Sequence, residues 1–273
     1  MTISRRSFAE AAFATAFLSL LSEKAKAEAE APAPVMPDHD MSGMPASWMG
    51  KEKVAFVIYP GLAAMDFIGP HCRIGNLMGA TNYIVAKTKD PVLSDTKVSF
   101  NPSTTFAECP EDIDILCVPG GDAGTLAAME DAETIAFIKD RGSRAKYVTS
   151  VCTGAFILAR AGLLEGYKAT THWSVRNLLA DFGAEPVDQR IVFDRNRVTA
   201  AGVTAGIDMG LSLVAKLRDQ TYAESLQLIA EYAPEPPFNA GSPHTAPKAE
   251  VDMMMAMIAP FASKAKELAK QSR

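Results

Sequence analysis

The stretch "KVAFVIYPGL", Lys53 to Leu62, is apolar at every position from Val54 to Ile58 and then breaks at Pro60-Gly61. A strand without polar alternation has no face to give to water, so both of its sides must be covered. The same form returns in "DIDILCVPGG", ended by Pro119-Gly120-Gly121, and in "KYVTSVCTGAFILARAGLL", where an apolar run passes directly into helical spacing. Such strands, alternating with helical stretches over short connections, imply right-handed crossovers and an α/β fold with a mostly parallel central sheet. At 273 residues, 48% of them hydrophobic, the chain is long enough to bury one large core.

The remaining elements follow from period and punctuation. Phe67, Ile68, Cys72, Ile74, Leu77 and Met78 recur at helical spacing, with Gly79 as the stop. "YIVAK" reads as a strand, Asp131 to Arg141 as a helix closed by Gly142, and Lys168 to Thr171 as a short strand ending at His172-Trp173. "RIVFDRNRVTAAG" reads as a hairpin around Arg195-Asn196, followed by a helix from Gly202 to Leu217. Residues 248–273 form a helical extension, amphipathic from Lys248 to Lys270 around an apolar Met253 to Ile258 centre, in spite of Pro260.

The N-terminus stands apart. Ser4-Arg5-Arg6-Ser7-Phe8, the apolar run Ala11 to Leu21 and Ala25-Lys26-Ala27 make residues 1–31 a twin-arginine signal peptide, which predicts a periplasmic protein. The run is shorter than the about 20 residues a bilayer requires, so no stable membrane anchor is expected. Residues 32–52 are a Pro/Met-rich linker. Its Met36, His39, Met41, Met44 and Met49 are soft ligands suited to Cu(I), but a tether need not converge them on one ion, and no metal is expected. Cys72, Cys109, Cys117 and Cys152 form no CxxC pair and no disulfide framework. The net charge of -5 and the pI near 5.5 argue against nucleic acid or anionic lipid as a partner and favour a small molecule.

Ser150-Val151-Cys152-Thr153-Gly154 has the form of a nucleophile elbow, a tight strand-to-helix turn that holds a side chain out of the sheet. A helix beginning at Thr153 is expected to lower the Cys152 thiol pKa. Asp66 follows the first strand closely enough to reach the same sheet edge and act as a proton donor, or else to cap a helix. Gly120 and Gly121 offer backbone N–H groups for an oxyanion hole, or form a plain turn. Thr153 either orients water or substrate or simply starts the helix. His172 either lines the pocket or is a hydrogen-bonded structural residue.

The order "YPGLAAMDFIGP", "ILCVPGG", "SVCTGAFILARAGLLEGYKATTHW", "GVTAGIDMGLSLV" and "EYAPEPPFNAGSP" resembles the ThiJ/PfpI superfamily of class I glutamine amidotransferase-like domains, and within it the isonitrile hydratase branch. The resemblance runs from about Lys53 to Pro243, inside a domain spanning residues 53–247. Protease-like and chaperone-like members carry His directly after the cysteine, where this chain has Thr153. The resemblance implies a flavodoxin-like three-layer sandwich, a homodimer, no cofactor, and Cys152, Asp66 and Thr153 as active residues. The activity it implies is hydration of an isonitrile to an N-substituted formamide through a cysteine thiolate. The alternatives are a non-catalytic thiol sensor, or another cysteine-dependent hydrolase or glyoxalase-like enzyme of the same fold.

Overall fold

In a computed structural model that describes residues 43–271, the apolar run at Lys53 becomes β1 (Lys53–Val57), with Val54 to Val57 all buried. Beside it lie β2 (Thr81–Ala86), β3 (Thr104–Thr105), β4 (Ile115–Val118), β5 (Tyr147–Val151), β6 (Ile191–Asp194) and β7 (Arg197–Ala200). They form one seven-stranded sheet in the order β6-β7-β5-β4-β1-β2-β3. Every neighbouring pair is parallel except the β6–β7 hairpin, which turns at Arg195-Asn196 as the sequence predicts. The twin-arginine signature, the apolar run and Met36, His39 and Met41 lie outside the described residues.

From β1 the chain moves outward through β2 to β3, and then returns to place β4 against the other side of β1. This reversal leaves a crevice beyond the carboxyl ends of β1 and β4, where open α/β sheets bind their ligands. Helices cover both faces. On one, α1 (Ala64–Ile74), α5 (Ala205–Leu217) and α6 (Gln220–Ile229) pack together; on the other, α2 (Asp122–Glu130), α3 (Ala132–Arg144), α4 (Gly154–Arg160) and α7 (Lys248–Lys270) do so. The result is the expected three-layer sandwich.

Two helix ends and the buried half of a third helix differ from the sequence reading, each for a packing reason. Helix α1 stops at Ile74 rather than at Gly79. The Asn82 amide donates to the Gly75 carbonyl at 2.8 Å and so occupies the acceptor that another helical turn would need. Gly142 does not close α3 but lies inside it, buried, where a Cβ would come within 2.5 Å of Leu163 Cδ1. Helix α7 does span Lys248–Lys270, Pro260 included, but its methionine-rich half is not the part that packs. Met253, Met255 and Met257 are exposed, while Phe261, Ala265 and Leu268 are buried, with the Phe261 ring 5.5 Å from that of Phe156. Two helices, α2 and α6, were not legible. Among the described residues no helix is long and apolar enough to cross a membrane, and all four cysteines are free.

Candidate active site

Cys152 follows β5 with φ +54°, the left-handed region, which costs a non-glycine residue about 1–2 kcal/mol. The surroundings impose it. Its N–H donates to the carbonyls of Ala201 and Ala200 at 2.8 and 3.1 Å, and its own carbonyl accepts the Thr171 hydroxyl at 2.6 Å. Strain held in place by neighbours in this way marks a side chain that must point somewhere specific. Helix α4 begins at Gly154, so Thr153 sits at the helix boundary rather than in the first turn.

Asp66 lies in the first turn of α1, fully buried, and is not a cap: the capping position belongs to Ala63. Asp95 instead receives the Ala64 N–H, at 3.2 Å. The Asp66 Oδ2 accepts the Gly120 N–H at 3.1 Å, and its carboxyl lies close enough to the Cys152 thiol for each to act on the other's ionisation. Behind it is a void of about 10 Å³ walled by apolar groups such as Phe56, Phe67 and Met209. Burial among them pushes the Asp66 carboxyl up to about 7, against the opposing pull of the Gly120 N–H and the thiol.

The thiol departs from expectation. The N–H groups of Thr153 and Val203 do favour the thiolate, but burial and the adjacent Asp66 charge outweigh them and raise the Cys152 pKa well above its ordinary value. A seven-residue helix does not reverse the cost of placing a charge on a largely buried sulfur. Cys152 and Asp66 are therefore two neighbouring buried acids that influence each other's ionisation, not a free thiolate beside an independent acid.

The glycines after β4 are also spoken for. The Gly120 N–H serves Asp66, and the Gly121 N–H donates to Thr153 Oγ1 at 3.0 Å. The oxyanion hole expected there is occupied by the protein's own acceptors. A buried hydroxyl chain fixes the proton directions. Tyr59 donates to the Pro119 carbonyl at 2.7 Å, so at 3.3 Å it accepts from Thr125, which in turn accepts from Thr153 at 2.8 Å. With its proton committed to Thr125, the Thr153 hydroxyl can accept from a water but not donate to one. His172 lies beside the turn that holds Cys152, its Cδ2 3.5 Å from where a Gly202 Cβ would be, and its Nδ1 is 2.7 Å from Ser174 Oγ. Burial lowers its pKa, which keeps the ring neutral.

The sequence profile of the DJ-1/PfpI family matches residues 52–216, which contain every one of these groups. The chain belongs to the DJ-1/PfpI family. Isonitrile hydratase from Pseudomonas putida is 45% identical over 208 residues, 76% of this chain and 90% of that one. A solved ThiJ/PfpI family protein from Pseudomonas syringae is 57% identical with a TM-score of 0.82, over 87% of this chain and 98% of its own. DJ-1beta from Drosophila melanogaster, 20% identical with a TM-score of 0.60 over 67% of this chain and 98% of its own, shares the fold.

In this DJ-1/PfpI domain, then, three sheet ends meet as the topology requires: Asp66 from beyond β1, Gly120 from beyond β4 and Cys152 from beyond β5. Gly120 is what lets them meet. A Cβ there would sit 2.6 Å from both Thr153 N and Oγ1 and 2.8 Å from Asp66 Oδ2. Gly120→Ala is expected to destabilise the fold by about 1–3 kcal/mol. By displacing the pair it should also lower turnover about 10²-fold. Thermal unfolding and kinetics on one preparation test this, and wild-type turnover would show that the close approach is dispensable. Tyr59, Thr125 and Thr171 were missed by sequence reasoning. Tyr59 and Thr171 stand within quoted motifs and Thr125 four residues after one, but nothing in a lone hydroxyl announces which acceptor it will meet.

Proposed function

We propose that the protein hydrates an isonitrile, R-NC, to the formamide R-NH-CHO, with Cys152 as nucleophile and Asp66 as proton relay. The observation that carries this reading is the juxtaposition of two buried acids, Cys152 and Asp66, at a strained elbow. In the singly protonated pair the Asp66 carboxylate takes the thiol proton as sulfur bonds to the terminal carbon, and passes it to that carbon. The product of this step is a thioimidate, R-N=CH-S-Cys152, with Asp66 again ionised. Water held by the free lone pair of Thr153 then adds to the carbon; one of its protons reaches nitrogen through Asp66. The remaining hydroxyl proton returns to the pair as the carbon–sulfur bond breaks and formamide leaves. Atoms and protons balance without a redox partner, and the relationship to isonitrile hydratase supports the choice of substrate class.

Incubating the purified protein with aliphatic and aromatic isonitriles should yield the matching formamides by mass spectrometry. No formamide from any of them would overturn the assignment. We also propose export by the twin-arginine route. A reporter fused to residues 1–50 should reach the periplasm and be retained inside when Arg5 and Arg6 are both replaced by lysine. Unchanged export would show that the arginine pair is incidental.

A further inference from the structure

A cavity of about 420 Å³ opens between the end of β1, the loop after β2 and helix α2. None of Cys152, Asp66, Gly120, Gly121 and Thr153 lines it. Helix α2 serves both places with different faces: Thr125 belongs to the hydroxyl chain of the active site, whereas Gly124, Ala127 and Ala128 wall the cavity. Protein interiors leave few voids larger than a water molecule, and this volume falls in the range of about 300–1,000 Å³ typical of small-molecule pockets.

Its floor is apolar, formed by Ile58, Tyr59, Val92 and Phe106, all buried. The mouth is acidic. Asp90 and Asp131 stand there with Lys87, whose ammonium is already held by Asp131 at 2.7 Å and by Glu133 at 3.3 Å. Lys89, the other cation nearby in the chain, is turned to Glu108 at 2.7 Å and to the Ser103 carbonyl at 2.7 Å. Asp131 and Glu133 thus share one ammonium, and Asp90 lines the same mouth without an ion pair of its own among the described residues. The Thr88 and Thr134 hydroxyls donate to Asp90 and Asp131 at 2.9 and 2.7 Å, orienting the carboxylates without neutralising them.

We propose that this cavity is a second binding site, for a small molecule with an apolar body and a primary ammonium head. The body displaces water from the floor and the head completes the charge balance at the mouth. An anion of the same shape meets repulsion there, and a neutral analogue gains from the floor alone.

The test uses the full chain and three probes of matched size: phenethylammonium, 3-phenylpropionate and 2-phenylethanol, titrated by calorimetry or ligand-observed NMR. Phenethylammonium is expected to bind at least about tenfold more tightly than 3-phenylpropionate, with 2-phenylethanol between them and the preference shrinking as salt is raised. Asp90→Asn should weaken the ammonium probe about threefold or more and leave the alcohol unchanged. Ala127→Phe, at an exposed position on the mouth, should abolish binding of all three probes while the thermal unfolding midpoint stays near that of the wild type. Equal affinity for the three probes, binding indifferent to both variants, or no binding of phenethylammonium at millimolar concentration would overturn the proposal. None of these readouts depends on turnover of an isonitrile, so the proposal stands or falls apart from the assignment of Cys152.

Discussion

Cys152→Ala is expected to bring formamide production to background. Loss of a nucleophile that forms the covalent intermediate costs on the order of 10⁶-fold, because what remains is binding without a bond to the reacting carbon. The fold should survive. The strain at this position lies in a backbone held at φ +54° by Ala200, Ala201 and Thr171, and alanine carries the same Cβ that cysteine does. Unfolding should therefore change by no more than about 1–2 kcal/mol, the scale of one small buried group. A mass spectrum of wild type quenched with excess isonitrile should show one thioimidate equivalent, absent from the variant. Undiminished turnover by a folded Cys152→Ala protein would remove the cysteine from the reaction, and a wild type that produces no formamide would return the site to the sensor reading.

Asp66→Asn is expected to lower kcat by at least about 10²-fold, the low end of what a positioned acid or base contributes. The amide keeps the shape and can still accept the Gly120 N–H, but it neither takes the thiol proton nor returns it. Two pH signatures separate this from a structural loss. Below about 7 the wild-type pair holds two protons, and above it one, because burial keeps the thiol protonated to well beyond its ordinary range. Activity should therefore rise as pH rises through about 7, and the variant should lose that rise.

Stability should move in the opposite sense. The Asp66 carboxyl titrates near 3.9 in an unfolded chain and at about 7 in the fold, so its protonated form is the one the fold prefers. That contribution is fully present below about pH 4 and is lost as pH rises through 7. At pH 8 the asparagine variant should be the more stable protein, by up to about 4 kcal/mol as an upper bound from a shift of some three pH units. At pH 4 the two should be close. A helix cap would behave otherwise, losing roughly 1 kcal/mol on substitution with turnover intact.

Local chemistry wrote much of this protein into its sequence. Continuous apolar runs ended by Pro60-Gly61 and by Pro119-Gly120-Gly121 allow little but buried parallel strands, and a parallel sheet carries all its strand ends to one edge. That alone puts Asp66, Gly120 and Cys152 within reach of one another, and the small residues around Cys152 announce the elbow. Helix α2 escaped because "DAGTLAAME" has no apolar stripe of helical period, its small residues packing on more than one side. The methionines of α7 misled because apolar character says that a surface can be buried, not which half of a helix will find a partner; Phe261 on Phe156 decided that.

The protonation state of the site lay furthest from the sequence. A thiol at a helix start reads as acidic when only the helix is considered, since the favourable N–H groups are neighbours in the chain. Desolvation is the sum over everything packed around each group, and here that means Phe56, Phe67 and Met209 beside the carboxyl and Val198, Ala205 and Met209 in the cluster that holds Cys152. The same holds for the N–H groups of Gly120 and Gly121, free in any drawing of the turn and taken once Asp66 and Thr153 arrive from other strand ends. Period, breaks and spacing, which act over a few residues, determined the sheet and brought Asp66, Gly120 and Cys152 together. Charge and proton position depend on the dielectric and the donors on all sides, so only the tertiary structure decided which atom holds the proton.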